Sequence, residues 1–361
     1  MKKKISQDAE QLFLKAQTCE KKSDWQSAIT FYRSALKLRP NYLEAHHNLA
    51  IALRCDKQME SSLISALFAT NIAPDHPIVQ FSLGVSLEKT GEITDAIGAY
   101  QKSIELRPDY VAALSNLGRL LEVKGKTLEA IKVLEQALII MPSSIETIIN
   151  LSNSYLSAGK PKETIYLLQS LIKSDTKNSD TSLSLAFNSL AVAAHILGNR
   201  NKAIRYFKKS IKKMPNFAEA HENLAQTLLF QGKYKQAWVE YEWRWLNQSN
   251  QQSKQKFGGI PWNGEKLLNK TLLIRAEQGF GDIIQFARFL PMITVKKGNL
   301  ILACHPILID LLSTLPSVDR VVDINEELPV HDRHVALLSL PRLLNITESN
   351  IPSSPYLIPN S

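Results

Sequence analysis

Cysteine is scarce: Cys19, Cys55 and Cys304 stand far apart among 361 residues. That spacing excludes a disulfide framework and offers no metal-ligand pattern, so the three read as small core residues. Long apolar runs are missing too. The first residues, MKKKIS, are basic, but no apolar segment comes after them. Neither a signal peptide nor a membrane span is therefore expected, and the expected compartment is the cytoplasm. No cofactor motif is present, so no cofactor and no metal are expected. What the chain does hold is apolar content of 44%, enough for a well-buried core, at a length that suggests about two domains.

Prolines provide the organising signal. Pro40, Pro74, Pro108 and Pro142 are spaced by 34 residues, a period that marks copies of one helix-turn-helix unit. Gly84, Gly118, Ala96 and Ala130 recur where two helices must approach closely, and larger apolar residues recur at helical spacing between them. Proline lacks a backbone N–H and disfavours helix before it, so it should end the second helix of each unit. Seven units are expected, starting near Ala9, Leu43, Pro77, Val111, Ile145, Ser184 and Ala218. In the fifth, Thr176 takes the proline position, and the stretch DTKNSDTS, residues 175–182, reads as a longer loop. This pattern resembles the tetratricopeptide repeat family over residues 9–246, behind a basic tail at 1–8.

Charge is concentrated in the repeats. Residues 1–246 carry 32 Lys and Arg against 24 Asp and Glu, whereas the remainder is nearly balanced. The sixth unit contributes Arg200, Lys202, Arg205, Lys208, Lys209, Lys212 and Lys213 with no acid among them. Two readings stand: a docking patch for an acidic or phosphate-bearing partner, or a solvated helix face. No reading motif for nucleic acid accompanies it, so a specific nucleic-acid partner is not expected.

A second recurrence lies on the first helix of each unit, where Asn48, Ser82, Asn116, Asn150, Ser189 and Asn223 share one position. Stacking would align them along the inner face. A carboxamide offers both a donor and an acceptor, so each could pair with one peptide unit of an extended chain; local bonding between helices is the alternative. The row is similar to the asparagine ladder of protein O-GlcNAc transferases, which implies a protein or peptide partner gripped by its backbone. Trp238, Tyr241, Trp243 and Trp245 are expected to cap the last unit and to seat the next domain. Past them, a polar linker spans 247–258.

Residues 259–361 change class. Apolar runs at 271–274, 300–303, 318–322 and 334–338 alternate with helical stretches, which argues for a parallel sheet with helices packed on it. Ligands of such sheets bind beyond the carboxyl ends of the strands, where the loop Glu277-Gln278-Gly279-Phe280-Gly281-Asp282 would lie. Gly279 and Gly281 would permit a tight turn. Asp282 reads either as a helix N-cap or as a carboxylate that takes a proton from an acceptor hydroxyl. The landmarks PWNGEKLLNKTLLIRAEQGFGD, VDRVV, SLPRLL and IPSSPYL resemble the first lobe of a GT-B glycosyltransferase, distantly that of the heptosyltransferase group. That resemblance implies Asp282 as the general base; Glu277, Gln278 and His334 match its pattern without an assigned chemistry.

The expected fold is thus an α-helical tetratricopeptide solenoid followed by a small α/β parallel-sheet domain, half of a GT-B, Rossmann-like architecture. The expected function is a protein-interaction scaffold holding an extended polypeptide. The alternative is part of a glycosyltransferase, in which a nucleotide-sugar would bind only with a complementing second lobe. The sequence stops at Ser361, before such a lobe, so activity of this polypeptide alone is not expected.

Overall fold

The computed structural model of the chain describes residues 2–173, 179–246 and 259–357. The linker expected at 247–258 lies outside them. The described residues fall into two compact units, 1–177 and 178–361, so the division comes between the fifth and sixth helix pairs.

The first unit contains five pairs: α1 (Lys2–Lys21) with α2 (Trp25–Leu38), α3 (Leu43–Cys55) with α4 (Met59–Ile72), α5 (Pro77–Thr90) with α6 (Ile93–Leu106), α7 (Val111–Val123) with α8 (Thr127–Ile140), and α9 (Ile145–Ser157) with α10 (Pro161–Lys173). Four of these pairs begin where the period places them. The first begins earlier: helix runs from Lys2, through the residues read as a tail.

Each pair turns through one left-handed residue. Gly91, Gly125 and Gly159 hold φ of 91°, 74° and 70°, and Ser23 and Lys57 occupy the same place in the first two pairs. Glycine adopts this conformation without the Cβ clash that other residues meet. The second helices end two residues before the prolines, at Leu38, Ile72, Leu106 and Ile140. The Pro40 and Pro74 carbonyls then accept from His46 and Gln80, six residues on, at 2.8 and 2.6 Å. Small residues sit at the crossings for a steric reason. A Cβ added to Gly84 would fall 2.7 Å from the Tyr100 ring, and one on Gly118 would collide with Leu134. Cys55 is exposed at the end of its helix and is not the core residue expected, whereas Cys19 is half-buried and packs against the core of the first pairs.

The second unit continues with α11 (Asp180–Ile196), α12 (Arg200–Lys213), α13 (Ala218–Leu229) and α14 (Tyr234–Tyr241). α11 starts four residues before the expected Ser184. The Ser179 hydroxyl accepts the Ser182 N–H at 3.2 Å, and this cap draws Asp180, Thr181 and Ser182 into the helix rather than a loop.

A 3₁₀ turn, Glu242–Leu246, precedes the sheet lobe. Strands β1 (Ile260–Pro261), β3 (Leu272–Arg275), β5 (Leu300–Cys304), β6 (Arg320–Asp323) and β7 (Arg333–Ala336) form one parallel sheet in the order β1-β7-β3-β5-β6, while β2 (Leu267–Leu268) and β4 (Val295–Lys296) form a second. β3 and β5 are buried along their whole length, which is why both read as unbroken apolar runs. Helices α15 (Phe280–Ala287), α16 (Ile309–Leu312) and α17 (Leu340–Leu343) accompany the sheet. From β3 the chain builds outward through β5 to β6, then returns to β7 on the other flank. The order reverses between β3 and β7, the kind of place where open parallel sheets have a crevice.

Candidate functional site

The first helices of successive pairs lie side by side: α3 with α5 and α7 with α9 in the first unit, α11 with α13 in the second. Within each unit these helices carry the positions at which the polar row was expected. In the first unit this row is held in an alternating way. Asn48 Nδ2 donates to the Tyr32 hydroxyl at 3.3 Å, and Asn116 Nδ2 donates to Tyr100 at 3.1 Å. Each tyrosine also meets a carboxylate. Tyr100 donates to Glu88 at 3.2 Å, and Glu88 pairs with Arg119 at 2.5 Å. Tyr32 bonds Glu20 in the same manner, and burial followed by that bond pushes its phenol above the usual range. Burial and the Glu88 charge do so for Tyr100. Both hydroxyls therefore stay protonated, donating to Glu and accepting from Asn. Among the described residues, no partner meets the Oδ1 of Asn48 or Asn116, so each presents an oriented acceptor.

In the intervening pairs, Ala66 and Leu134 replace the tyrosines, and the Ser82 Oγ and Asn150 Nδ2 are buried without a partner among the described residues. In the second unit, Ser189 turns back to the Leu185 carbonyl at 3.2 Å, and Asn223 donates to Asn188 at 3.4 Å. The sequence pattern reveals the row but not its supports. The available signal was that Glu20, Tyr32 and Asn48 recur two periods later as Glu88, Tyr100 and Asn116.

The loop after β3 is built differently from expectation. Neither Gly279 nor Gly281 has positive φ; the left-handed residue is Gln278, at 66°. A Cβ on Gly281 would meet nothing within 4 Å, so space does not require glycine there. Gly279 takes the N-cap position of α15, and Asp282 lies inside the first turn rather than at the cap. A carboxylate there still favours the helix through its dipole. Glu277 points away from solvent and accepts from Arg244 Nη2 at 2.6 Å; the same nitrogen donates to the Ser339 hydroxyl at 2.8 Å. Arg244 comes from the 3₁₀ turn after the last repeat and is 1% exposed. Its guanidinium thus joins the loop after β3 to the residues after β7, across the reversal of strand order. Burial raises the Glu277 carboxyl above its usual value, against the opposing pull of Arg244.

Gln278 and Asp282 instead line a groove of about 580 Å³ with Trp238, Tyr241, Phe286 and Gln226, between α13, α14 and α15. Burial, and more weakly the Asp282 and Glu277 carboxylates, push the Tyr241 phenol up to about 12. Trp238 serves as a seat: its indole N–H donates to the Ile346 carbonyl at 3.2 Å, and its ring meets Phe286 edge-on at 6.0 Å. Trp243 stacks on His221 at 3.8 Å between centroids. His334 lies in β7, where its backbone carbonyl accepts from Trp262 at 2.8 Å.

A family profile described as tetratricopeptide repeat matches residues 73–249, and a second of the same description matches residues 11–44. This is a tetratricopeptide-repeat protein. Solved structures agree on the fold. A tetratricopeptide repeat protein from Parabacteroides merdae is 17% identical with a TM-score of 0.58, covering 69% of this chain and 97% of that one. Pseudomonas aeruginosa PilF is 16% identical with a TM-score of 0.51, covering 62% and 99%. Protein FlbA of Caulobacter vibrioides is 24% identical over 149 residues, 31% of this chain and 25% of that protein; the chain thus spans about a quarter of the length of this curated relative. Both family matches fall in the tetratricopeptide repeats and bear on them rather than on the sheet lobe. Among the described residues of this repeat protein, no helix is long and apolar enough to cross a membrane. Nor does any group of three or more His, Cys, Asp or Glu side chains there form a metal site.

Proposed function

We propose that the tetratricopeptide repeats hold an extended segment of a partner polypeptide along the first-helix face, gripping its backbone. The supporting observation is the pair of Asn48 and Asn116 carbonyl oxygens, each held in place by a tyrosine and each lacking a partner among the described residues. An acceptor fixed before binding loses little entropy when a backbone N–H arrives. Ser82 and Asn150 belong to the same row in the first unit, and Ser189 and Asn223 hold the equivalent helix position in the second. Replacing Asn48 and Asn116 together with Ala should weaken binding of an unfolded, alkylated model protein by roughly tenfold, two modest hydrogen bonds at the low end of their range. An unchanged dissociation constant in a variant that keeps its helical circular dichroism would refute the role.

A second reading concerns the sheet lobe, and the groove at Asp282 favours it. There Asp282 would be the general base of a GT-B-like first lobe, with Gln278 beside it, and a nucleotide-sugar would bind only once a second lobe completed the cleft. Glu277, engaged by Arg244, would position the loop and take no part in proton transfer. Calorimetry with UDP-, GDP- and ADP-sugars tests this reading: no heat is expected from this polypeptide by itself, and micromolar binding would show that the lobe needs no complement.

A further inference from the structure

Helix α12 lies outside both sites and carries one sign of charge. Ala203, Ile204, Phe207 and Ser210 are buried, which leaves Arg205, Lys208, Lys209 and Lys212 together on the opposite, exposed side. Lys213 is neutralised by Asp180 at 2.8 Å. On the flanking helices Glu219 is taken up by Asn188 at 3.0 Å. Arg205, Lys208 and Lys212 meet no carboxylate among the described residues. Lys209 is held over the rings of Phe187 and Tyr206, at 5.4 and 5.9 Å from their centroids. Arg205 and Lys209, like Lys208 and Lys212, stand one helical turn apart, a spacing at which like charges repel.

We infer that this face docks an acidic polypeptide segment. The helix is about 21 Å long at 1.5 Å per residue, the reach of about six extended residues, and opposite charge would relieve the repulsion along it. Single-stranded nucleic acid fits less well, because it binds by stacking on open rings. Here Phe187 and Tyr206 stack on each other, with centroids 6.1 Å apart, and carry the lysine besides. A membrane surface fits less well too. Insertion needs large apolar side chains facing outward, and those of α12 are turned into the repeat. Since α12 is the second helix of its pair, the face is separate from the first-helix face of α11 and α13.

The test is fluorescence anisotropy with a labelled oligo-glutamate peptide at about 0.05 M and about 0.3 M salt, a range over which exposed charges become screened. The expected result is binding at low salt that weakens at least roughly tenfold in the variant Arg205→Ser, Lys208→Ser, Lys212→Ser. A control variant, Lys124→Ser, Lys132→Ser, Lys162→Ser, makes the same change of net charge elsewhere and should leave binding unchanged. Equal loss in both variants would mean attraction to net charge only and would overturn the proposal. So would tighter binding of duplex DNA or phosphatidylserine vesicles than of the peptide, abolished by the α12 variant. The substituted side chains are exposed, and circular dichroism verifies that both variants fold.

Discussion

Tyr100 ties three helices together through a single oxygen, since it sits on α6, accepts from Asn116 on α7 and donates to Glu88 on α5. Removing that oxygen leaves the packing of the ring intact but releases two partners. Tyr100→Phe should cost about 1 kcal/mol of stability, measured by urea denaturation, and should weaken polypeptide capture because Asn116 is no longer oriented. Capture equal to that of the wild type would show that the tyrosine serves stability alone. Gly118 sets a steric limit instead: Gly118→Ala drives a methyl into Leu134 and should cost about 1–3 kcal/mol as overpacking, read as a lower melting temperature. The shared polar position and the small crossing residues were legible because they recur every 34 residues. The tyrosine supports were not, because they alternate with Ala66 and Leu134 and come from the neighbouring helix, where only stacking brings the two side chains together.

Helix boundaries followed the period wherever backbone chemistry enforced them. Gly125 shows the mechanism: at φ of 74° a side chain would strain the turn, so Gly125→Ala should lose about 1–2 kcal/mol, detectable as an earlier urea midpoint. Ser23 and Lys57 adopt the same conformation without being glycine; their backbone N–H groups donate to the Glu20 and Arg54 carbonyls at 2.8 and 3.1 Å. In the lobe, the four apolar runs became β3, β5, β6 and β7; β3 and β5, buried along their whole length, show themselves as continuous apolar segments. β1, β2 and β4 are two residues each, too short to carry any periodicity, and their pairing is a tertiary result. Asp282 illustrates a related limit. The sequence placed it at the mouth of a helix, yet the cap fell on Gly279, three residues earlier, because Gln278 rather than a glycine took the left-handed turn.

At the scale of the whole chain, the decisive residue was the least conspicuous one. Arg244 lies within a cluster expected to be an aromatic cap, in which an arginine has no evident role; its partners Glu277 and Ser339 are 33 and 95 residues away. Arg244→Ala would leave Glu277 buried without its cation, and loss of about 3–5 kcal/mol is expected, visible as loosening of the lobe in hydrogen exchange. Glu277 also sets a pH dependence. Its folded value is raised, so folding favours the protonated acid. The corresponding stability is complete below the ordinary glutamate range and is lost as pH climbs through the raised value. Glu277→Gln should flatten that slope in melting curves recorded across mildly acidic pH; an unaltered slope would place its origin elsewhere. The Arg244 bridge also imposes a direction in time. During synthesis the repeats leave the ribosome first, and domains fold as they emerge, so the guanidinium is already anchored in its turn when Glu277 and then Ser339 arrive. The lobe is completed on a seat made ready for it, and a ribosome pausing late in the message would expose a half-built sheet already held by its first contact.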